Sequence, residues 1–492
     1  MTGPRSKTYI DIQLEPTYMF TNDHFYTHMM EINLAHVLML KKQSILSSQD
    51  AATILEATYR LMENDYEKPY DENVEDLFFM IEDDLTKEIG AELVGNMHIA
   101  FSRNDMDTTM FRMLWRKKIV QWLDLISQLR TTILHLVDQH KYTVMPAHTH
   151  GQQAQPTTLA HYLLAIENNL HRDMDRGISL YSRINESPMG AAALATTGFR
   201  VDRDDICERL GFDTPMKNSY DAVSTSDFLI EVANVLTISL TTLSRFVHDL
   251  IFMATNEVDS LRLHDMHVQT SSIMPQKRNP SALEHSRAII SKALGKLQGA
   301  VIVAHSVPFG DIVDIGDDIQ PTLVDGYEHT SQCLELVQEI LEHATFNKQL
   351  MYERAEQGFS TVTELADLLV RNYNMSFRKS HSLVSKFVKE LFRNQKTLKD
   401  GGAQQINDLA KKEYCLTLEV TEKDYVKAVN VMDFINVRTV YGGPSPQEVE
   451  RQRQEAERDL TDKIEWIQVT LHKLSDYSAR LKRDVELCVN QK

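Results

Sequence analysis

The chain is 492 residues long and carries 70 acidic against 52 basic side chains, a net charge of −18. That length suits roughly two to four domains, and an acidic surface of this kind excludes nucleic acid and anionic membranes as partners. No apolar run approaches the roughly 18 residues of a membrane span, and the opening "MTGPRSKTYIDIQLEP" lacks the apolar core of a signal peptide, so the expected location is cytoplasmic.

Only 13 prolines and 18 glycines interrupt the chain, which favours long helices over many short strands. The first hundred residues read as helical, and in "INLAHVLMLKKQSILSSQDAATILEATYRLM" either Ser47 or Ser48 suits the cap of a second helix. Residues 110–140 place Trp115, Ile119, Trp122, Ile126, Leu129, Ile133 and Leu136 at alternating spacings of four and three, a stripe that packs along other helices. A second stripe runs through Leu159, Leu163, Ile166, Leu170 and Met174, just after Pro156, a residue suited to a first helical turn. A third passes through Leu229, Val232, Leu236, Leu240, Leu243, Val247 and Leu250, and further helices are expected over 281–304 and 322–345. After residue 355 the helices shorten, as in "TVTELADLLVRNY", before the turn "YGGPSP" and a charged terminal helix from 446 to 485. The reading is an all-α fold with an N-terminal helical domain (1–109), a central bundle (110–355) and a small C-terminal helical domain (356–492). Cys207, Cys333, Cys415 and Cys488 lie far apart without a metal-type spacing and are expected as buried, reduced thiols.

Three polar segments break the helical rule. "NMHIAFSRNDMD" (96–107) and "MPAHTHGQQAQP" (145–156) sit at the two ends of the long helix. Alone, Ser102, Asn104 and Asp105 are helix-capping types, and His148 with His150 is too sparse a set for a metal. In "VQTSSIMPQKRNPSALEH" (268–285), Pro280 suits a first helical position and Asn279 its cap. Lys277, Arg278 and the free backbone amides would then converge on a helix N-terminus, an anion site beside two serine hydroxyls. Such surroundings favour a deprotonated serine.

Together these segments resemble the signatures of the aspartase/fumarase superfamily. "SSIMPQKRNP" is similar to its serine loop, and "SRND", "THGQQAQPTTLAHYLLA", "SPMGAAALATTGF", "NSYDAVSTSDF" and "AEQGFSTVTELADLLV" are similar to its argininosuccinate lyase branch, in the expected order over roughly residues 25–395. The resemblance implies a carbon–nitrogen lyase that works without metal or cofactor and releases fumarate from an N-substituted aspartate. It implies Ser271 as the base, with Lys277 and Asn279 holding the carboxylate beside the abstracted proton. His150, with Thr149 and paired with Glu284, would help protonate the departing amine; Ser102, Arg103, Asn104, Ser272 and Met274 would bind substrate. It further implies a homotetramer with a shared multi-helix core and composite sites. The chemistry fits these residue types, because abstraction beside a carboxylate needs fixed positive charge where negative charge develops, and a leaving amine needs a proton donor.

Geometry gives a separate argument for composite sites. The stretch 110–140 makes a helix about 45 Å long, so "SRND" and "AHTH" at its ends do not meet within one chain, and antiparallel bundles from other subunits would unite them. Some positions depart from the branch: Phe78 replaces a histidine, Ser226 an arginine, Thr270 a glycine, and "FGDIVDIGDDIQP" (309–321) carries Asp311, Asp314, Asp317 and Asp318. Phe78 and the acidic segment look like ethylenediaminedisuccinate lyase, and they bear on the amine half of the substrate. The competing readings are a non-catalytic structural relative that kept the fold and a sibling enzyme that forms fumarate by losing ammonia, water or a purine amine.

Overall fold

The structure is a computed structural model in which residues 5–64 and 66–490 are described. Helix α1 (Glu15–Lys42) carries an unbroken buried run from Met29 to Leu40, and α2 (Ser48–Met62) starts on Ser47, whose hydroxyl accepts the Asp50 N–H at 3.0 Å. Next come α3 (Leu77–Ile89) and α4 (Arg103–Gln139). Helix α4 begins seven residues before its apolar stripe suggested, because Ser102 and Asp105 form a reciprocal capping box. Its seven stripe residues are all buried, each large apolar side chain contributing on the order of 1.5–3 kcal/mol.

Helices α5 (Leu159–Ile184), α6 (Asp227–Met253), α7 (Ser281–Ala304) and α8 (Gln320–His343) complete the bundle. Helix α4 packs on α1, α5 and α8, and α7 lies between α6 and α8. Helix α6 is the one described helix long and apolar enough by composition to cross a bilayer, yet its stripe from Leu229 to Leu250 lies in the bundle core. The terminal helix α9 (Pro446–Val489) returns along α4, α5 and α2. Its buried apolar residues from Val449 to Cys488 join the core that runs from Tyr18 to Met351, whereas residues 365–429 enclose a smaller core of their own.

Three sequence expectations are corrected. Residues 144–158 are a β-hairpin, strand β1 (Val144–Thr149) against β2 (Gln152–Thr158), with Pro146 facing Pro156 across it. Pro156 therefore lies within a strand rather than in a first helical turn, and Thr158 caps α5 by accepting the His161 N–H. Asn279 is not a helix cap: it sits in a two-residue ladder, β3 (Gln269–Thr270) against β4 (Arg278–Asn279), and Pro280 takes the cap position before Ser281. All four cysteines are free, but Cys415 is exposed while the other three are buried; it occupies a left-handed helix terminus.

Candidate active site

At the N-terminus of α4, Ser102 Oγ accepts the Asn104 N–H at 3.2 Å while the Ser102 N–H donates to Asp105 Oδ1 at 3.2 Å. Asn104 Nδ2 donates to the Ala193 carbonyl at 3.2 Å, tying the motif to the 188–196 turn. Arg103 pairs with Asp76 and lies 3.4 Å from Glu75. Its guanidinium sits 5.1 Å from the Phe79 ring centre and 5.8 Å from that of Phe78. Asp76 also caps α3 by accepting the Phe79 N–H at 3.2 Å. Phe78, read from the sequence as a departure from the branch's usual histidine, thus supplies an aromatic face to the arginine.

A cavity of about 490 Å³ opens beside Arg103, with Glu75, Asp76, Asp107, Asp311 and Asp317 in its walls. Burial pushes the Asp107 carboxyl well above the usual carboxylate range, with Arg103 pulling against it. Burial, followed by the Asp318 and Asp76 charges, pushes Asp317 up to about 6. Asp314 and Asp318 are not in the wall. The sequence reading missed Glu75, Asp76 and Asp107; "VEDLFF" held a signal, an aspartate in N-cap position before an apolar run.

The other motifs lie beyond the opposite end of α4, whose 37 residues span about 55 Å. Thr149 and His150 form the tip of the β1–β2 hairpin, His150 in the left-handed region at φ 53°. The serine loop springs from the same end: Leu261–Arg262 pair with Thr345–Phe346, and the Phe346 ring packs on His140 at the end of α4. In that loop, Ser271 Oγ accepts the Ile273 and Met274 N–H groups at 3.3 and 3.1 Å. Two N–H donors on one hydroxyl oxygen favour its anionic form. Arg278 does not join the expected anion site, since it pairs with Asp265 and donates to the Leu263 carbonyl at 2.9 Å. Ser272, Met274, Lys277 and Glu284 are exposed, with Glu284 in the first turn of α7. The structure therefore brings Ser102–Asn104 together at one pole and Ser271–Glu284 with Thr149–His150 at the other. Among the described residues no hydrogen bond joins the hairpin tip to the serine loop.

The sequence profile of the Lyase family matches residues 22–295, and the argininosuccinate lyase C-terminal profile matches residues 359–436. The chain belongs to this family, in the argininosuccinate lyase branch of the aspartase/fumarase superfamily. It is a carbon–nitrogen lyase. The lyase is 38% identical over 419 residues to the argininosuccinate lyase of Methanocorpusculum labreanum, 85% of this chain and 84% of that one. It is 37% identical over 458 residues to the enzyme of Methanospirillum hungatei, 92% of each. Among solved structures it is similar to EDDS lyase in complex with formate, with a TM-score of 0.88 and 28% identity over 99% of this chain and 97% of that one. A class II fumarase from Schistosoma mansoni, at 15% identity and a TM-score of 0.68 over 86% and 91% of the chains, shares the lyase's fold.

Proposed function

We propose that this fumarate-forming carbon–nitrogen lyase reversibly splits an N-(1,2-dicarboxyethyl) amine, with Ser271 as the base and a cationic amine as the second product. The observation that carries the base assignment is the pair of backbone N–H groups donating to Ser271 Oγ. The oxygen takes the proton beside a carboxylate, and Lys277 and Asn279 hold that carboxylate as it gains aci-carboxylate, dianion-like character. Collapse expels the amine, which His150 protonates with Thr149 and Glu284 orienting it. Ser102, Arg103 and Asn104 bind the dicarboxylate, and Ser272 and Met274 line its other side.

The two poles are about 55 Å apart, so a complete site draws on several subunits. A homotetramer of antiparallel bundles meets that need. It also accounts for α6, whose most apolar window is only 44% buried within one chain, leaving Ile238 and Phe252 exposed.

The walls beside Arg103 favour an amine carrying positive charge. Arginine and diamines both qualify: argininosuccinate lyases are the sequence relatives, and EDDS lyase is a structural neighbour. The test is to incubate the purified protein with fumarate and, separately, arginine, ethylenediamine and a set of neutral amino acids, and to read the mass of any adduct. An adduct with a cationic amine is expected. Adducts with neutral amino acids alone would overturn the amine assignment.

A further inference from the structure

Asp105 is fully buried and takes no part in the proton transfers above. Its Oδ2 accepts the backbone N–H groups of Gly190 and Ala192 at 2.9 and 2.8 Å, while Oδ1 accepts the Ser102 N–H. From the other side of the same turn, Arg203 donates to the carbonyls of Met189 at 3.0 Å and Met216 at 2.9 Å, and reaches that of Pro188 at 3.3 Å. The turn is thus gripped by its N–H groups from one side and its carbonyls from the other. It needs that grip: Ala192 and Thr196 hold φ of 52° and 61°, left-handed values that non-glycine residues keep only when their surroundings over-determine them. Asn104, in the motif that binds the dicarboxylate, donates its amide to Ala193 in this turn.

We propose that Asp105 is a positioning residue, whose carboxylate pins the 188–196 turn to the start of α4 and so fixes how Asn104 presents its side chain to substrate. The proposal rests on the reading that Ser102–Asn104 bind the dicarboxylate. Burial pushes the Asp105 carboxyl up to about 7, against backbone donors that favour the ionised form. The charged group facing it across the turn is Arg203. The ionised carboxylate offers two full acceptors; the protonated acid replaces one with a hydroxyl, a poorer acceptor for N–H.

Amide hydrogen exchange on the wild-type protein tests this directly. After correction for intrinsic rates, Gly190 and Ala192, whose N–H groups donate to Asp105, should exchange at least about tenfold more slowly than a solvated amide, the size expected for hydrogen bonds to a charged group. Unprotected amides at these two positions overturn the proposal. In Asp105→Asn, protection at both amides should fall at pH 8 while the middle of α4 stays protected. The KM for the dicarboxylate should rise about 10- to 100-fold with kcat less affected. Unchanged protection and KM refute it, and a variant that does not fold leaves the wild-type exchange to decide. Should the wild type turn over no N-(1,2-dicarboxyethyl) amine, the functional reading fails, while the exchange still decides whether Asp105 holds the turn.

Discussion

Replacing Asp317 by Asn removes one negative charge from the cavity beside Arg103 and leaves its shape intact. A cation about 4 Å from a carboxylate gains about 4 kcal/mol at an effective dielectric constant of about 20. Substitutions that remove one charged hydrogen-bond partner cost less, about 1.5–3 kcal/mol. The KM for the cationic amine should therefore rise about 10- to 150-fold, while that for fumarate, which meets Arg103 rather than Asp317, stays within about twofold. Initial rates of fumarate loss against amine concentration give both constants. The pH dependence sharpens the test, because Asp317 is pushed up to about 6 by burial and then by neighbouring carboxylates. Amine binding should tighten from pH 5 to pH 7 as that group ionises, and the change should shrink in Asp317→Asn. Binding the cation should also draw a proton off Asp107, whose carboxyl burial holds well above its usual range. An amine KM unchanged in both Asp317→Asn and Asp311→Asn would refute the electrostatic assignment of this cavity.

Other substitutions probe the scaffold and the shared site. Gly177→Ala places a Cβ 2.6 Å from Trp122 Cζ3 and 2.8 Å from Leu123 Cδ2. That overpacks the contact between α4 and α5, costing about 1–3 kcal/mol in urea unfolding. Arg130 and Glu167 form an ion pair with both side chains buried, so Arg130→Met leaves a buried carboxylate unpaired and should cost about 3–5 kcal/mol. Inactive Arg103→Ala and Ser271→Ala proteins should regain activity when their subunits are mixed and reassembled, whereas the double variant should not. Mixed subunits without activity would mean that each chain builds its own site.

Much of the scaffold was legible because its stripes are long. Seven apolar positions in register identified α4, although its start required the Ser102–Asp105 capping box to be read as one unit. The hairpin at 144–158 was hidden: its histidines and glutamines show no apolar alternation, and Pro156 is as compatible with a helix start as with a two-stranded edge. Asn279 was misplaced by a ladder of two residue pairs, too short to leave a pattern. The serine loop, the hairpin tip and the Ser102–Asn104 motif were recognisable as segments, and their separation followed from helix length alone. The cavity was not, since it is assembled from Asp76, Arg103, Asp107 and Asp317, which long-range packing brings together and no local spacing announces.

The central claim is that Ser271 removes the proton in a fumarate-forming elimination. The most direct measurement compares fumarate production by the wild type and Ser271→Ala on the same N-(1,2-dicarboxyethyl) amine, with oligomeric state checked for both. The account predicts a loss of at least about 100-fold in kcat with the assembly intact, the scale of a positioned base. Turnover by Ser271→Ala at the wild-type rate would contradict it.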